Sequence, residues 1–146
     1  MEGNNSFLTL FLQPVAEFLA DDSVSEILIN GPERVYIERR GKLEECSGTR
    51  FVSEPALRAA AANIAKSVNR MLDERNPRLD ARLPDGSRVH AVIPPLSSLG
   101  TVIAIRKIKR ETLTIDRMQE YGSLDDSIRK LIRALVLLHK NTMLRS

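Results

Sequence analysis

Apolar residues recur at helical spacing in several stretches of the chain and alternate with polar ones between them. Phe7, Phe11, Val15, Phe18 and Leu19 fall on one side of a helix. Pro14 sits inside that run and predicts a kinked or shortened helix. Leu57, Ala61, Ile64, Ala65, Val68 and Leu72 mark a second apolar face and predict a helix over 54–73. Ser53 suits its N-cap, Pro55 its first turn, and Asn76-Pro77 its stop. The alanines of this helix would let it lie close against a sheet. A short helix over Ile115 to Tyr121 follows, with Thr114 as cap and Gly122 as stop. A last helix carries Leu124, Ile128, Leu131, Ile132, Leu135 and Leu138 on one face. Ser123 is its expected cap and Asp126 its third residue.

The remaining apolar runs are short and read as strands. Val24 to Ile29, Val35 to Arg39 and Leu43 to Cys46 are separated by the turns Asn30-Gly31-Pro32 and Arg40-Gly41-Lys42, which predicts an antiparallel meander. Thr101 to Ile105 is continuously apolar and reads as a strand buried on both faces. It ends in the basic cluster Arg106, Lys107, Lys109 and Arg110. The fold class is therefore α+β. It has an antiparallel sheet of about five or six short strands packed with helices, then a C-terminal helical arm. The domain division expected is 1–122 for the α+β domain and 123–146 for the arm. Thr142-Met143-Leu144 could open a further strand.

The strongest turn signal lies between Arg78 and Pro95. Pro84 suits the second position of a type I turn and Gly86 the fourth, so the flanking runs form a hairpin. Strand alternation puts Leu79, Ala81 and Leu83 on one face and Arg78, Asp80 and Arg82 on the other. On the return strand Val89, Ala91 and Ile93 oppose Arg88 and His90. One face joins a core and the other carries cations.

Composition narrows the chemistry. The chain has 146 residues, 42% hydrophobic and 28% charged, as in an ordinary soluble domain large enough to need no disulfides. The single cysteine, Cys46, excludes a disulfide framework or a thiolate metal cluster. With aromatics at 4% and a net charge of +3, base-stacking platforms are scarce, and nucleic acid is not an expected partner. No signal peptide and no run of about 20 apolar residues is evident, so a cytoplasmic location is expected. His90 and His139 have no partners at metal-ligand spacing, and no nucleophile motif occurs. Gly41-Lys42 is not a phosphate-binding loop, because Tyr36 replaces the upstream glycine and Leu43 the Ser or Thr. Arg78, Arg82, Arg88 and Arg106, with Lys107 beyond, remain. Arginine forks on rigid strands suit phosphate oxygens. The alternative is surface arginine paired with Asp80, Asp85 or glutamates.

The run from Arg78 through Asp80, Arg82, Asp85, Gly86 and Arg88 to Val89, then Ile93-Pro94-Pro95-Leu96, Gly100 and Ile105-Arg106-Lys107, resembles the type II/type IV secretion and pilus-assembly ATPases. It is most similar to their CpaF-like branch. Val24 to Pro32, Val35 to Arg39 and Gly41-Lys42-Leu43 agree, and the similarity runs from about residue 8 to about residue 145. The resemblance implies the N-terminal domain of a hexameric motor. This domain folds over a nucleotide held by a RecA-like ATPase domain and supplies arginines toward its phosphates. It implies Arg106, Arg88 and Arg82 as phosphate contacts, with Asp80, Asp85, Gly86 and Lys107 in support. Pro94 to Gly100 would be a rim loop near the cleft. ATP and Mg²⁺ belong to the full-length parent. The chain ends at Ser146, where the P-loop is expected to begin, so no hydrolysis and no cofactor are expected of this chain alone. The implied partners are the RecA-like domain in cis, neighbouring subunits of a homo-hexamer, and an inner-membrane secretion or pilus platform protein. The implied location is peripheral to that membrane machinery. The other reading is a stand-alone interaction module of a secretion or pilus system that binds no nucleotide.

Overall fold

A computed structural model of the protein describes residues 6–108 and 114–141, with residues 6–8 described by backbone alone. The side chain of Phe7, the basic residues Lys109 and Arg110, and the tail Thr142-Met143-Leu144 lie outside the described residues. The chain divides into two compact units, Met1–Lys109 and Arg110–Ser146.

The first unit is a six-stranded antiparallel sheet packed with helices. Its strands are β1 (Val24–Asn30), β2 (Arg34–Arg39), β3 (Lys42–Glu45), β4 (Arg78–Arg82), β5 (Arg88–Val92) and β6 (Val102–Arg106). They stand in the order β3-β2-β1-β6-β5-β4, and every neighbouring pair is antiparallel. Two hairpin systems thus meet at the centre, where β6 lies between β1 and β5.

One face of the sheet forms the core. Val35 and Ile37, Ile27 and Ile29, Ile103 and Ile105, Val89 and Ala91, and Leu79 all point to it and are buried. The helix α3 (Glu54–Ser67) contributes Leu57, Ala60, Ala61, Ile64 and Ala65 to the same cluster. The N-terminal segment adds Leu12, Val15 and Leu19. Each fully buried Leu or Ile stabilises the fold by about 1.5–3 kcal/mol. Pro14 interrupts the N-terminal helix as its ring requires. α1 (Ser6–Phe11) gives way to a 3₁₀ turn at Gln13–Val15, and α2 (Ala16–Ala20) follows.

Three details differ from the sequence-based expectations. β6 is central but not buried on both faces, since Val102 and Ala104 stay half-buried while Ile103 and Ile105 are enclosed. All the buried side chains of the strands lie on the inner face, so central position in the sheet does not enclose the other face. Helix α3 is capped by Ser53 as expected but ends at Ser67, not near residue 73. Asn69 adopts φ 55°, and the N–H groups of Asn69 and Arg70 bond back to the carbonyls of Lys66 and Ala65. This is a Schellman stop, in which asparagine tolerates the left-handed region. Leu72 still reaches the core, but from the connecting loop.

The third difference falls in the second unit, which consists of α4 (Ile115–Glu120) and α5 (Asp126–Leu137). Thr114 caps α4 and Gly122, at φ 70°, follows its end, as expected. The cap of α5 is Asp125, whose carboxylate accepts the Ile128 N–H at 2.8 Å, in place of Ser123. A charged acceptor at a helix start also complements the helix dipole, which a serine cannot do. Arg129 bonds Asp116 and Gln119 and ties α5 to α4. None of the residues of either helix is buried within this unit, and Leu131, Val136, Leu137 and Leu138 are exposed.

An ion-pair relay fixes the β1–β2 corner. Asp21 accepts bonds from the Ser23 N–H and O–H and from Arg39, which also reaches Glu44. These bonds, led by those from Ser23, hold the Asp21 carboxyl down at about 2, against an ordinary 3.8. A depressed acid contributes stability above its unfolded value and loses it as pH falls through the folded one. Asp21→Asn is therefore expected to lower the melting temperature near neutral pH. The difference from wild type should shrink as pH falls from 3.8 to about 2. Thermal melts across that range check it.

Candidate phosphate-facing site

The site begins with the β4–β5 turn. The Gly86 N–H donates to the Leu83 carbonyl at 2.8 Å, and the Leu83 N–H donates to the Ser87 carbonyl at 2.7 Å. Asp85 steadies the turn by accepting the Ser87 N–H and O–H at 2.8 and 3.0 Å. It therefore acts as a turn residue. Gly86 holds φ +87°, the left-handed region that a side chain disfavours.

This turn fixes the register, and the register builds a row. Arg82 pairs with Arg88, Arg88 with Arg106, and Arg106 with Glu26. Glu38 and Leu43 continue the row on β2 and β3. Three arginines thus stand side by side on adjacent strands, on the face away from the core, about 4.8 Å apart from strand to strand. Like charges directly opposite each other destabilise a sheet. Sites where a local rule is broken in this way are where function is to be sought.

Two carboxylates moderate the repulsion. Arg88 bonds Asp80 through two nitrogens, at 3.3 Å each, and His90 Nδ1 stands 3.6 Å from the same carboxylate. The hydrogen bond from Arg88 leads the effects that hold the Asp80 carboxyl below its usual range, and the charges of Arg88, His90 and Arg78 add to it. Arg106 meets Glu26 at 3.5 Å. Arg82 has no acidic partner within 4 Å among the described residues. These pairs are long and exposed, and such pairs hold a guanidinium by only about 0–1 kcal/mol. An incoming phosphate could displace them.

The other sequence-predicted residues fall elsewhere. Lys107, one residue past Arg106, donates its ammonium to the Phe18 and Asp21 carbonyls at 3.2 and 2.7 Å. It ties β6 to the end of α2. Arg78 lies two rows from Arg82, opposite Val92. His139 follows α5 at φ 51°. Cys46 is half-buried against the core, and burial pushes its thiol up. Among the described residues no group of three or more His, Cys, Asp or Glu could hold a metal.

Sequence reasoning missed two acids. Glu26 stands 80 positions before Arg106, and only the β1–β6 register joins them. Glu54, the first residue of α3, accepts the N–H and O–H of buried Thr101 through Oε1, at 2.6 Å each. A Cβ on Gly100 would lie 2.8 Å from its Oε2. Glu54 thereby anchors the end of the 94–100 loop at the start of β6. No local pattern announces a contact of either kind.

The comparisons with known proteins decide the family. The model of the family described as "Type II/IV secretion system protein" matches residues 11–144. The chain belongs to that family. It is 30% identical over 117 residues to the type IV secretion system protein VirB11 of Bartonella henselae, covering 76% of this chain and 31% of that one. It is 34% identical over 107 residues to an uncharacterised protein of Methanocaldococcus jannaschii, covering 73% of this chain and 15% of that one. The crystal structure of the VirB11 ATPase from the Brucella suis type IV secretion system, in complex with sulphate, shares the fold. Its TM-score is 0.72 at 23% identity, over 90% of this chain and 44% of that one. The chain thus spans less than half the length of each of these relatives. Among the described residues no helix is long and apolar enough to cross a membrane.

The turn glycine gives a direct test of the site's frame. Gly86→Ala is expected to cost about 1–2 kcal/mol, because alanine would occupy the left-handed region. The new methyl would also press on the Ile108 tip, 2.6 Å away. Ile108 is half-exposed and can yield, so Gly86→Ala combined with Ile108→Ala should recover only a small part of the loss. Denaturant unfolding of both variants measures it.

Proposed function

We propose that this chain is the N-terminal, nucleotide-closing domain of a hexameric secretion or pilus-assembly ATPase. In that reading the row Arg82, Arg88 and Arg106 faces the phosphates of ATP held by a RecA-like domain of the same protein. The supporting observation is the row itself, three guanidinium groups placed side by side on rigid strands with only weak internal partners. Guanidinium groups stay charged at physiological pH and grip phosphate oxygens with paired donors. Brought to the γ-phosphate on closure, they would neutralise the charge that develops as the phosphoryl group transfers.

The chain's own residues divide the work. Arg106 and Arg88 are the first candidates for phosphate, and Arg82 extends the row. Asp80 and Glu26 engage Arg88 and Arg106 through the long contacts that a phosphate would have to displace. Gly86 and Asp85 shape the turn that sets the register. ATP and Mg²⁺ fit this division, since the row offers cations for phosphate and the metal would be held by the ATPase domain. Closing and opening of this domain would couple hydrolysis to protein secretion. Neighbouring subunits and an inner-membrane platform protein are the proposed partners, and membership of the CpaF-like branch is part of the same proposal. The reading as a stand-alone interaction module draws on the exposed apolar residues of α5, Ile128 and Leu131 among them.

The test uses the full-length parent protein. Arg106→Ala and Arg88→Ala are each expected to lower kcat about tenfold or more, with the melting temperature unchanged, because arginine contributions to phosphoryl transfer are large. Steady-state ATPase assays check this. Unchanged turnover in both variants would refute the assignment.

A further inference from the structure

His90 stands on the same face as the arginine row, and the strand pairing sets it against the carboxylate that Arg88 uses. Asp80 and His90 are register partners on β4 and β5. The Leu83 N–H donates to the Ser87 carbonyl and the Ile93 N–H to the Pro77 carbonyl, which marks Leu79 and Ala81 as the hydrogen-bonded positions of β4. Asp80 and His90 therefore form a non-hydrogen-bonded pair, the arrangement in which facing side chains approach most closely. Arg88 is only the diagonal neighbour of Asp80. Yet the carboxylate turns to Arg88, which reaches it through Nε and Nη2 at 3.3 Å each. His90 Nδ1, at 3.6 Å, is too far for a hydrogen bond and pairs with the carboxylate only as a cation.

The other charges around His90 are cationic. Arg78 and Arg82 flank Asp80 on β4, and Arg88 lies two residues before His90 on β5. On β6 Ala104 stands opposite His90, with Arg106 one step along the same face. Among the described residues Asp80 is the one carboxylate within 4 Å of it. Four guanidinium groups thus oppose a charge on the imidazole, and one carboxylate favours it. A dianion lying on the row would tip that balance toward the imidazolium. The imidazolium in turn gives Asp80 a charged partner directly across the ladder, loosens its hold on Arg88 and adds a cation beside the anion. All three side chains are about half exposed, so neither contact locks the carboxylate.

We propose that His90 is a positioning residue for Arg88: it competes for Asp80, and its protonated form frees Arg88 for an oxyanion bound at the row. Anion binding and proton uptake at His90 are then coupled, and by linkage each favours the other. Histidine is the side chain suited to such coupling between about pH 5 and 8. This coupling rests on the phosphate-facing reading of the row and adds a proton to it. The sign follows: the row binds an anion more tightly as pH falls.

Sulfate is the probe, because its own charge is constant between about pH 5.5 and 8, the range in which histidine titrates. Its affinity for the 146-residue chain is read at low salt from the NMR shifts of the β4 and β5 amides. The wild type is expected to bind about fivefold or more tightly at about pH 5.5 than at about pH 8. His90→Gln should keep the weaker affinity at both pH values, and His90→Arg the tighter one. Asp80→Asn should bind tightly already at the higher pH and lose most of the pH dependence, since no carboxylate is left to compete for. A histidine acting only through its added charge would keep that dependence in Asp80→Asn. Arg88→Ala should weaken binding throughout. An affinity that falls in Arg88→Ala but does not rise on acidification overturns the role of His90 and leaves the row as the anion site. So does a rise that is as large in His90→Gln or Asp80→Asn as in the wild type. Sulfate binding that Arg88→Ala leaves unchanged, or no binding at either pH, overturns the row and the role of His90 together.

Discussion

The register of the β4–β5 hairpin is the constraint on which the rest depends. Side chains alternate along a strand, so a slip of one residue would send Arg82 and Arg88 into the core and Leu83 and Val89 out to water. The slip is prevented at both levels at once. The core side is pinned by Leu79, Leu83, Val89 and Ala91, all buried. The turn side is pinned by the positive φ of Gly86 and the two bonds that Asp85 accepts from Ser87. Once that register stands, the β5–β6 and β6–β1 ladders carry it across the sheet to Arg106 and Glu26. The arginine row is therefore a consequence of core packing on the opposite face, with no loop needed to assemble it.

The outer face is held in tension by weak pairs. Asp80 and Glu26 stand close enough to orient Arg88 and Arg106, yet their contacts, at 3.3 and 3.5 Å, are exposed and long. A tight buried pair would commit the guanidinium groups to the protein itself. Lys107 shows the contrast. It is turned to the inner side, where two carbonyls hold it, and it serves the fold. Adjacent residues of one strand end thus have different work, decided by which face each meets.

Much of this was legible in the sequence. The strands, the hairpin and its charged face followed from alternation and from the Pro84-Asp85-Gly86 turn, since both signals are local. The split of the N-terminal helix at Pro14 was legible for the same reason. The end of α3 was not, because asparagine is a weaker stop signal than the Asn76-Pro77 pair further on. The open outer face of β6 was hidden because Val102 and Ala104 are apolar whichever way they point. At the candidate site the arginines could be named, but their common row, and Glu26 and Glu54 as partners, required the pairing of strands distant in sequence.

The central claim is that the arginine row meets phosphate. A structure of the full-length parent with a non-hydrolysable ATP analogue tests it most directly. The account predicts a guanidinium nitrogen of Arg82, Arg88 or Arg106 within about 3 Å of a phosphate oxygen. At least one of the bonds to Asp80 or Glu26 should be given up to reach it. A nucleotide bound entirely by the ATPase domain, with this domain closed over it and all three arginines still turned to solvent, would contradict the account.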